Sequence, residues 1–415
     1  MNFEKYILKN IGRHRIGNPP VRRYKNVIAI PVFAELNHLP RTLKSLSENH
    51  PAILDDTMII TVVNNPPADS AGPAKLRENS ETLGAMRNSQ FPCQDRLQLF
   101  WVDASSSGHE INPSEGVGAA RKIGMDLALE FLDFSGASPL VISLDADTIV
   151  GRNYLEAINE YFIANPGIAG ATISFAHQPG RTPEEDAAIT CYELFMRYYA
   201  EGLRISQSPY AYHVLGSAMA FRAEEYVRAG GMRKRNGGED FYFMQALRKI
   251  GEVGEIKGTT VFPSSRPSDR VPFGTGPRIS QILDGGKELR FYNPAIFLIL
   301  KNLFSMVGAC DTSLQLLDAD KLDPVFKEYL IGNNFFHEWE KILRNTPKEK
   351  EKIQWAFHTW FDAFRTLKFV HSCEGRYPEV GLMEAYSRLF SMAGSPFPET
   401  AKSSEKALLE FMRNK

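Results

Sequence analysis

The sequence predicts an α/β fold: a mostly parallel central sheet flanked by helices, followed by a helical C-terminal extension. Three observations predict it. Apolar runs of strand length alternate with amphipathic helical stretches through roughly the first 150 residues. Those runs are apolar on both faces, as strands lying between two helical layers must be. Beyond about residue 285 the strand signal gives way to charged helical periodicity, as in "PKEKEKIQWAFHTWFDAFRTLKF".

The elements follow in order. "VIAIPVF" (27–33) is a β-branched strand. After it, Asn37 can cap a helix with Pro40 in its first turn and Leu39, Leu43 and Leu46 along one face. "MIITVV" (58–63) is a second buried strand, ended by "NNPP", and a helical stretch near 73–89 leads to a third, "LQLFWVD" (97–103). The helix "GAARKIGMDLALEFL" precedes the fourth strand, "LVISL". "GIAGATISF" (167–175) and "HVLGSAMAFR" (213–222) read as strands around the helix "PEEDAAITCYELFMRYYAEGL", whose aromatic stripe reads as core. This divides the chain into a basic leader (1–25), an α/β domain (26–284) and a helical extension (285–415).

Composition narrows the function classes. A formal net charge of -1 gives the molecule no electrostatic reason to bind nucleic acid. Cys93, Cys191, Cys310 and Cys373 are scattered without a C-x-x-C pair, so they read as free thiols of a reducing, cytoplasmic compartment. The stretch 294–309 is too short and too polar to span a bilayer. The leader sets Lys5, Lys9, Arg13, Arg15, Arg22, Arg23 and Lys25 against Glu4 alone. It reads as a solvated segment or as a peripheral contact with anionic lipid at the inner face of the membrane.

Four constellations carry candidate chemistry. Asp145 and Asp147 end the fourth strand. Strand periodicity turns residues i and i+2 to one side, so the carboxylates converge. They are either a solvated or capping pair, or ligands of a divalent cation completed by phosphate oxygens. "GVGAARKIG" (116–124) has Arg121 where a dinucleotide fingerprint needs its last glycine, and a long loop precedes it. What is left is a glycine turn feeding a helix start, either an ordinary entry with a surface arginine or a seat for phosphate or ribose oxygens. Glu239 and Asp240 open the helix of "GGEDFYFMQALRKIG". Asp240 there is either a cap or a general base facing an acceptor hydroxyl. "PSSRPSDRVPFGTGPR" (263–278) interleaves Arg266, Arg270 and Arg278 with hydroxyl residues. It is either a solvated loop or one that folds over a diphosphate. There is no G-x-S-x-G elbow and no G-x-x-x-x-G-K-[ST] loop.

In order and spacing, these stretches resemble the family 2 glycosyltransferases of the GT-A fold. "VIAIPVFAELNHLPRTLKSL", "TVVNN", "GVGAARKIGMDLAL", "LDADTIVGRNYLEAI" and "GSAMAFRAEEYVRAGGM…GGEDFYFMQALRKIGE" carry the resemblance across residues 27–251. It implies a GT-A-like nucleotide-sugar transferase that uses Mn2+ or Mg2+. The donor would be a nucleotide-diphosphate sugar, and the acceptor a glycan, a lipid-linked molecule or a small molecule. Pro31, Val32, Glu35 and Asn65 would line the nucleotide pocket, and Arg121 would approach the nucleoside. Asp145 would bind ribose or a metal-held water and Asp147 the metal directly. Glu239 would belong to the nucleotide-sugar site, with Asp240 as the base. Arg266 and Arg270 would meet the leaving diphosphate. In-line attack would invert the anomeric centre. Where the family commonly carries an aspartate for a uracil edge, Asn64 and Asn65 stand here, which leaves the base open. A retaining transferase, a nucleotidyltransferase and a non-catalytic nucleotide-sugar-binding subunit are the competing readings.

Overall fold

The computed structural model describes residues 3–269, 272, 274–284, 289–309 and 322–415. They group into two units: residues up to Ile189 with Val214–Leu283, and Thr190–His213 with Asp284–Lys415. The helix Pro183–Ile205 carries the chain from one grouping to the other.

Among the described residues, the first unit is built on nine strands: β1 (Ile16–Gly17), β2 (Asn26–Val32), β3 (Thr57–Asn64), β4 (Gln98–Ala104), β5 (Leu140–Ser143), β6 (Ile149–Val150), β7 (Ile168–Phe175), β8 (Met219–Arg222) and β9 (Glu252–Phe262). Their order is β1-β4-β3-β2-β5-β8-β7-β9-β6. The run β4-β3-β2-β5 is parallel throughout, and so is β7 with β9. β8 lies antiparallel between β5 and β7, which makes the sheet mixed in its second half.

Every residue of β2 and β3 is buried, because helices cover both faces. The helix Gly116–Ala128 sets Gly124 against Val62, Ala29 and Ile60. The helix Pro73–Arg87 brings Met86 to Thr61, which period two turns to the opposite face. The helix after β2 runs Leu39–Ser47, with His38 rather than Asn37 at its N-cap and no side-chain cap bond. Its first amide donates instead to the Glu35 carbonyl. The leader is ordered against the first unit: Phe3–Asn10 is helical, and Tyr6 donates to Asp126 at 3.0 Å.

The second unit is helical, from Pro294–Ala309 to Glu405–Arg413. Its core includes Tyr198, Phe291, Phe297, Phe326, Phe361 and Tyr386, so the aromatic stripe of 191–203 packs as core. Glu193 is fully buried there and held by Arg197 and Arg413. Among the described residues no helix is long and apolar enough to cross a membrane. Cys93, Cys191 and Cys373 are free thiols, and Cys310 lies outside the described residues.

Candidate functional site

From β2 the chain steps to β3 and β4 on one side, and β5 then pairs on the other. The sheet therefore reverses direction between β2 and β5, and ligands of open α/β sheets sit outside the carboxyl ends at such a point. Pro31 fits here because β2–β5 pairing stops at Ala29↔Ser143. Its missing N–H would face the side where β5 has already ended. Val32 is fully buried and exposes no atom to a ligand. Beyond it the loop is pinned from the helix Pro73–Arg87: Asn79 accepts from the Ala34 amide and Glu78 from the Leu36 amide, each at 2.9 Å. Ala34 sits at φ 54, a left-handed conformation costing about 1 kcal/mol that this pinning sustains.

Asp145 and Asp147 do not continue the strand. β5 ends at Ser143, and the Thr148 amide donates to the Asp145 carbonyl at 3.2 Å, closing a turn. The turn is held by Thr42, which donates to the Ala146 carbonyl, and by Gln178, which donates to the Asp147 carbonyl. The two carboxylates meet different arginines. Arg121 reaches Asp145 at 2.5 Å, and Arg266 reaches Asp147 at 3.0 Å. Arg266 also bonds Glu35, and its Nη1 lies 2.7 Å from His38 Nδ1. Burial, with the charge of Asp145 beside it, raises the Asp147 carboxyl above its ordinary range against the pull of Arg266. His38 is lowered by burial and then by Arg266.

The helix Glu239–Ile250 is capped by Gly238 in the left-handed region, so Asp240 is not the cap. The Asp240 carboxylate accepts from the Phe241 amide at 2.7 Å, inside the first turn where a helix favours negative charge. Burial raises Asp240, with Arg121 opposing. Burial and the neighbouring Asp240 push Glu239 up to about 7, again against Arg121.

Three expectations meet a different arrangement. Arg121 is 3% exposed and bonded to Asp145, Ser143 and Glu239, so it is interior to the site instead of reaching a nucleoside. The glycine turn is not open to an anion: the Gly118 amide donates to the Arg235 carbonyl at 3.0 Å. A Cβ on Gly118 would stand 2.3 Å from the Arg233 carbonyl oxygen and 2.7 Å from the Arg235 amide nitrogen. Gly118→Ala must therefore displace backbone, and thermal melts should show a loss of about 1–3 kcal/mol. Asn65 is buried with its amide engaged, donating to the Pro66 and Ser105 carbonyls and accepting from Asn79. Asn64, at the carboxyl end of β3, instead holds a buried side-chain oxygen with no hydrogen-bond partner among the described residues. Arg270 lies outside the described residues, while Arg278 bonds Gln281 in the helix Thr275–Leu283.

His38, Ser143 and Gly216 join the site although sequence reasoning assigned none of them a role. Ser143 was the readable one, a hydroxyl closing an otherwise apolar strand.

Five carboxylates (Glu35, Asp145, Asp147, Glu239 and Asp240) thus face two guanidinium groups, Arg121 and Arg266. This surplus of hard, negative oxygen suits a divalent cation. Among the described residues no three Asp, Glu, His or Cys side chains cluster to hold a metal by themselves. Asp145 and Asp147 could supply two such oxygen ligands, each now paired with an arginine, and the rest of a cation's shell would have to come from phosphate oxygens and water.

No protein-family model matches the chain, and no curated protein matches it. Among solved structures it is similar to residues 1–349 of S. aureus TarS in complex with UDP-GlcNAc, at 12% identity and a TM-score of 0.40, covering 94% of this chain and 87% of that one. It is also similar to the mannosyltransferase PcManGT from Pyrobaculum calidifontis in complex with GDP-Man and Mn2+, at 15% identity and a TM-score of 0.37, covering 87% and 93%. Likenesses of this size carry no weight for activity, which rests on this chain's own geometry.

Proposed function

We propose that this chain is a glycosyltransferase of the family 2 type, moving a sugar from a nucleotide-diphosphate donor to an acceptor hydroxyl. The observation that carries the reading is the chain Asp147, Asp145, Arg121, Glu239, Asp240. It joins two cation-fitting carboxylates at the reversal of the sheet to a raised carboxylate on a rigid helix start.

A divalent cation at Asp147 and Asp145 would supply Lewis-acid stabilisation of the leaving diphosphate. The chain's own residues do the rest. Asp240 takes the proton from the acceptor hydroxyl as the oxygen attacks. The rigid turn 145–148 and the pinned loop after β2 keep the donor in place for in-line displacement, which inverts the anomeric carbon. Asn64, with its unpartnered carbonyl, is the residue offered to an N–H of the base in place of Asn65.

Calorimetric titration of UDP and GDP, each with Mn2+, Mg2+ or chelator, tests the reading. One nucleotide should bind in a metal-dependent way, and more weakly to Asn64→Ala. Binding that ignores both metal and Asp147 would instead favour the non-catalytic subunit. Retention of the anomeric configuration in the product would replace the inverting mechanism.

A further inference from the structure

Arg121 has an unusual position for an arginine in a nucleotide site. It leaves the helix Gly116–Ala128 almost fully buried and makes no use of solvent. Its fork is divided three ways: Nε donates to Glu239 at 3.0 Å, Nη1 to Ser143 at 2.8 Å and Nη2 to Asp145 at 2.5 Å. The Ser143 hydroxyl in turn donates a hydrogen bond to the Gly216 carbonyl at 2.7 Å. A Cβ at Gly216 would lie 2.2 Å from Arg121 Nη2, so any other residue there must displace the guanidinium. Four segments, β5, the turn after it, the approach to β8 and the head of the base-bearing helix, therefore close on one guanidinium. A lysine could satisfy one of these partners but not the planar set.

We infer that Arg121 is a positioning residue that couples the cation side of the site, at Asp145, to the base side, at Glu239 and Asp240. The inference rests on the proposed function and goes beyond it, since it makes the two half-sites energetically dependent. The guanidinium shares its attraction between Asp145 and Glu239. When Glu239 loses its charge, Arg121 leans wholly on Asp145 and competes with a cation there. When a cation draws on Asp145, Arg121 turns its attraction to Glu239 and steadies the first turn that carries Asp240. Burial keeps this exchange strong, because water does not screen it. Burial opposes the charge on Arg121 but Asp145 and Glu239 outweigh it, so the bridge stays cationic.

The test is a linkage cycle read by calorimetry with Mn2+ and the nucleotide that the wild type binds. Glu239→Gln, which removes no cation ligand, should weaken metal-dependent nucleotide binding about fivefold or more. In an Arg121→Lys background the same change should have almost no effect. Gly216→Ala, which pushes the guanidinium aside and keeps its charge, should abolish the coupling in the same way. It also stands in if Arg121→Lys does not fold. In turnover, Arg121→Lys should lower kcat with little change in the donor KM, whereas a purely structural residue would lower Tm and move both. Equal effects of Glu239→Gln with and without Arg121 would overturn the inference and leave the function intact. A wild type that binds neither nucleotide would overturn the function, and with it a coupling defined toward the cation.

Discussion

Asp240→Asn should abolish transfer and leave the donor site loaded. If Asp240 is the base, kcat falls about 10²- to 10⁴-fold while metal-dependent nucleotide binding changes far less. The split follows from where the residue sits. Asp240 occupies the first turn of Glu239–Ile250 and bonds the Phe241 amide, while it is its neighbour Glu239 that Arg121 ties to Asp145. An asparagine keeps the shape and accepts the same amide proton, but it cannot take one from a hydroxyl. The pH profile gives an independent reading. Burial raises Asp240 above the ordinary aspartate range, and a base must be ionised to act. The rate of the wild type should therefore climb with pH along a limb displaced upward from that range. Residual activity of Asp240→Asn should lack that limb. A variant that loses nucleotide binding in step with turnover would take the base role away from Asp240.

The sequence made the parallel half of the sheet legible and the other half less so, for physical reasons. β2, β3 and β5 are buried on both faces, and such strands read as continuous apolar runs. β9, "EVGEIKGTTVF", buries only Ile256, Thr259 and Val261, without alternation, and includes two glycines, so its pattern resembles a loop. The 213–222 run yields a strand only over Met219–Arg222, because the Ala218 amide closes a turn onto Leu215 and Gly216 makes room for Arg121. The acids were legible because carboxylates at strand and helix ends have few structural reasons to crowd. Their partners were not. Arg121 and Arg266 come from segments 24 and 119 residues away from the acids they meet, and nothing local in the sequence selects those pairings. Asn64 and Asn65 show the limit most sharply. They are adjacent, alike in chemistry and opposite in face, and only the sheet decides which amide the helix Pro73–Arg87 engages.

Asp147→Ala should remove metal-dependent nucleotide binding, and Arg266→Ala should divide it. Losing a charge-assisted contact of about 1.5–3 kcal/mol corresponds to about 10- to 100-fold in affinity for the Asp147 variant. Arg266 has two opposed effects. In the structure it neutralises Asp147 and Glu35, so a cation must displace it from Asp147 before binding there. Once displaced, it is a cation beside a diphosphate. Arg266→Ala should therefore bind Mn2+ alone about tenfold more tightly, yet hold the nucleotide more weakly when metal is present. Stability gives the second measurement. Because the folded protein raises the Asp147 carboxyl, this group favours folding below the ordinary aspartate range, and that contribution is lost as pH rises through the raised value. At neutral pH its charge works against the fold, so Asp147→Ala in chelator should melt no lower than the wild type. Mn2+ should then raise the Tm of the wild type and leave the variant unmoved. An Asp147 that stabilises the metal-free protein at neutral pH would be the anchor of an Arg266 ion pair rather than a cation ligand. In that case Arg266→Ala would loosen Mn2+ binding or leave it alone.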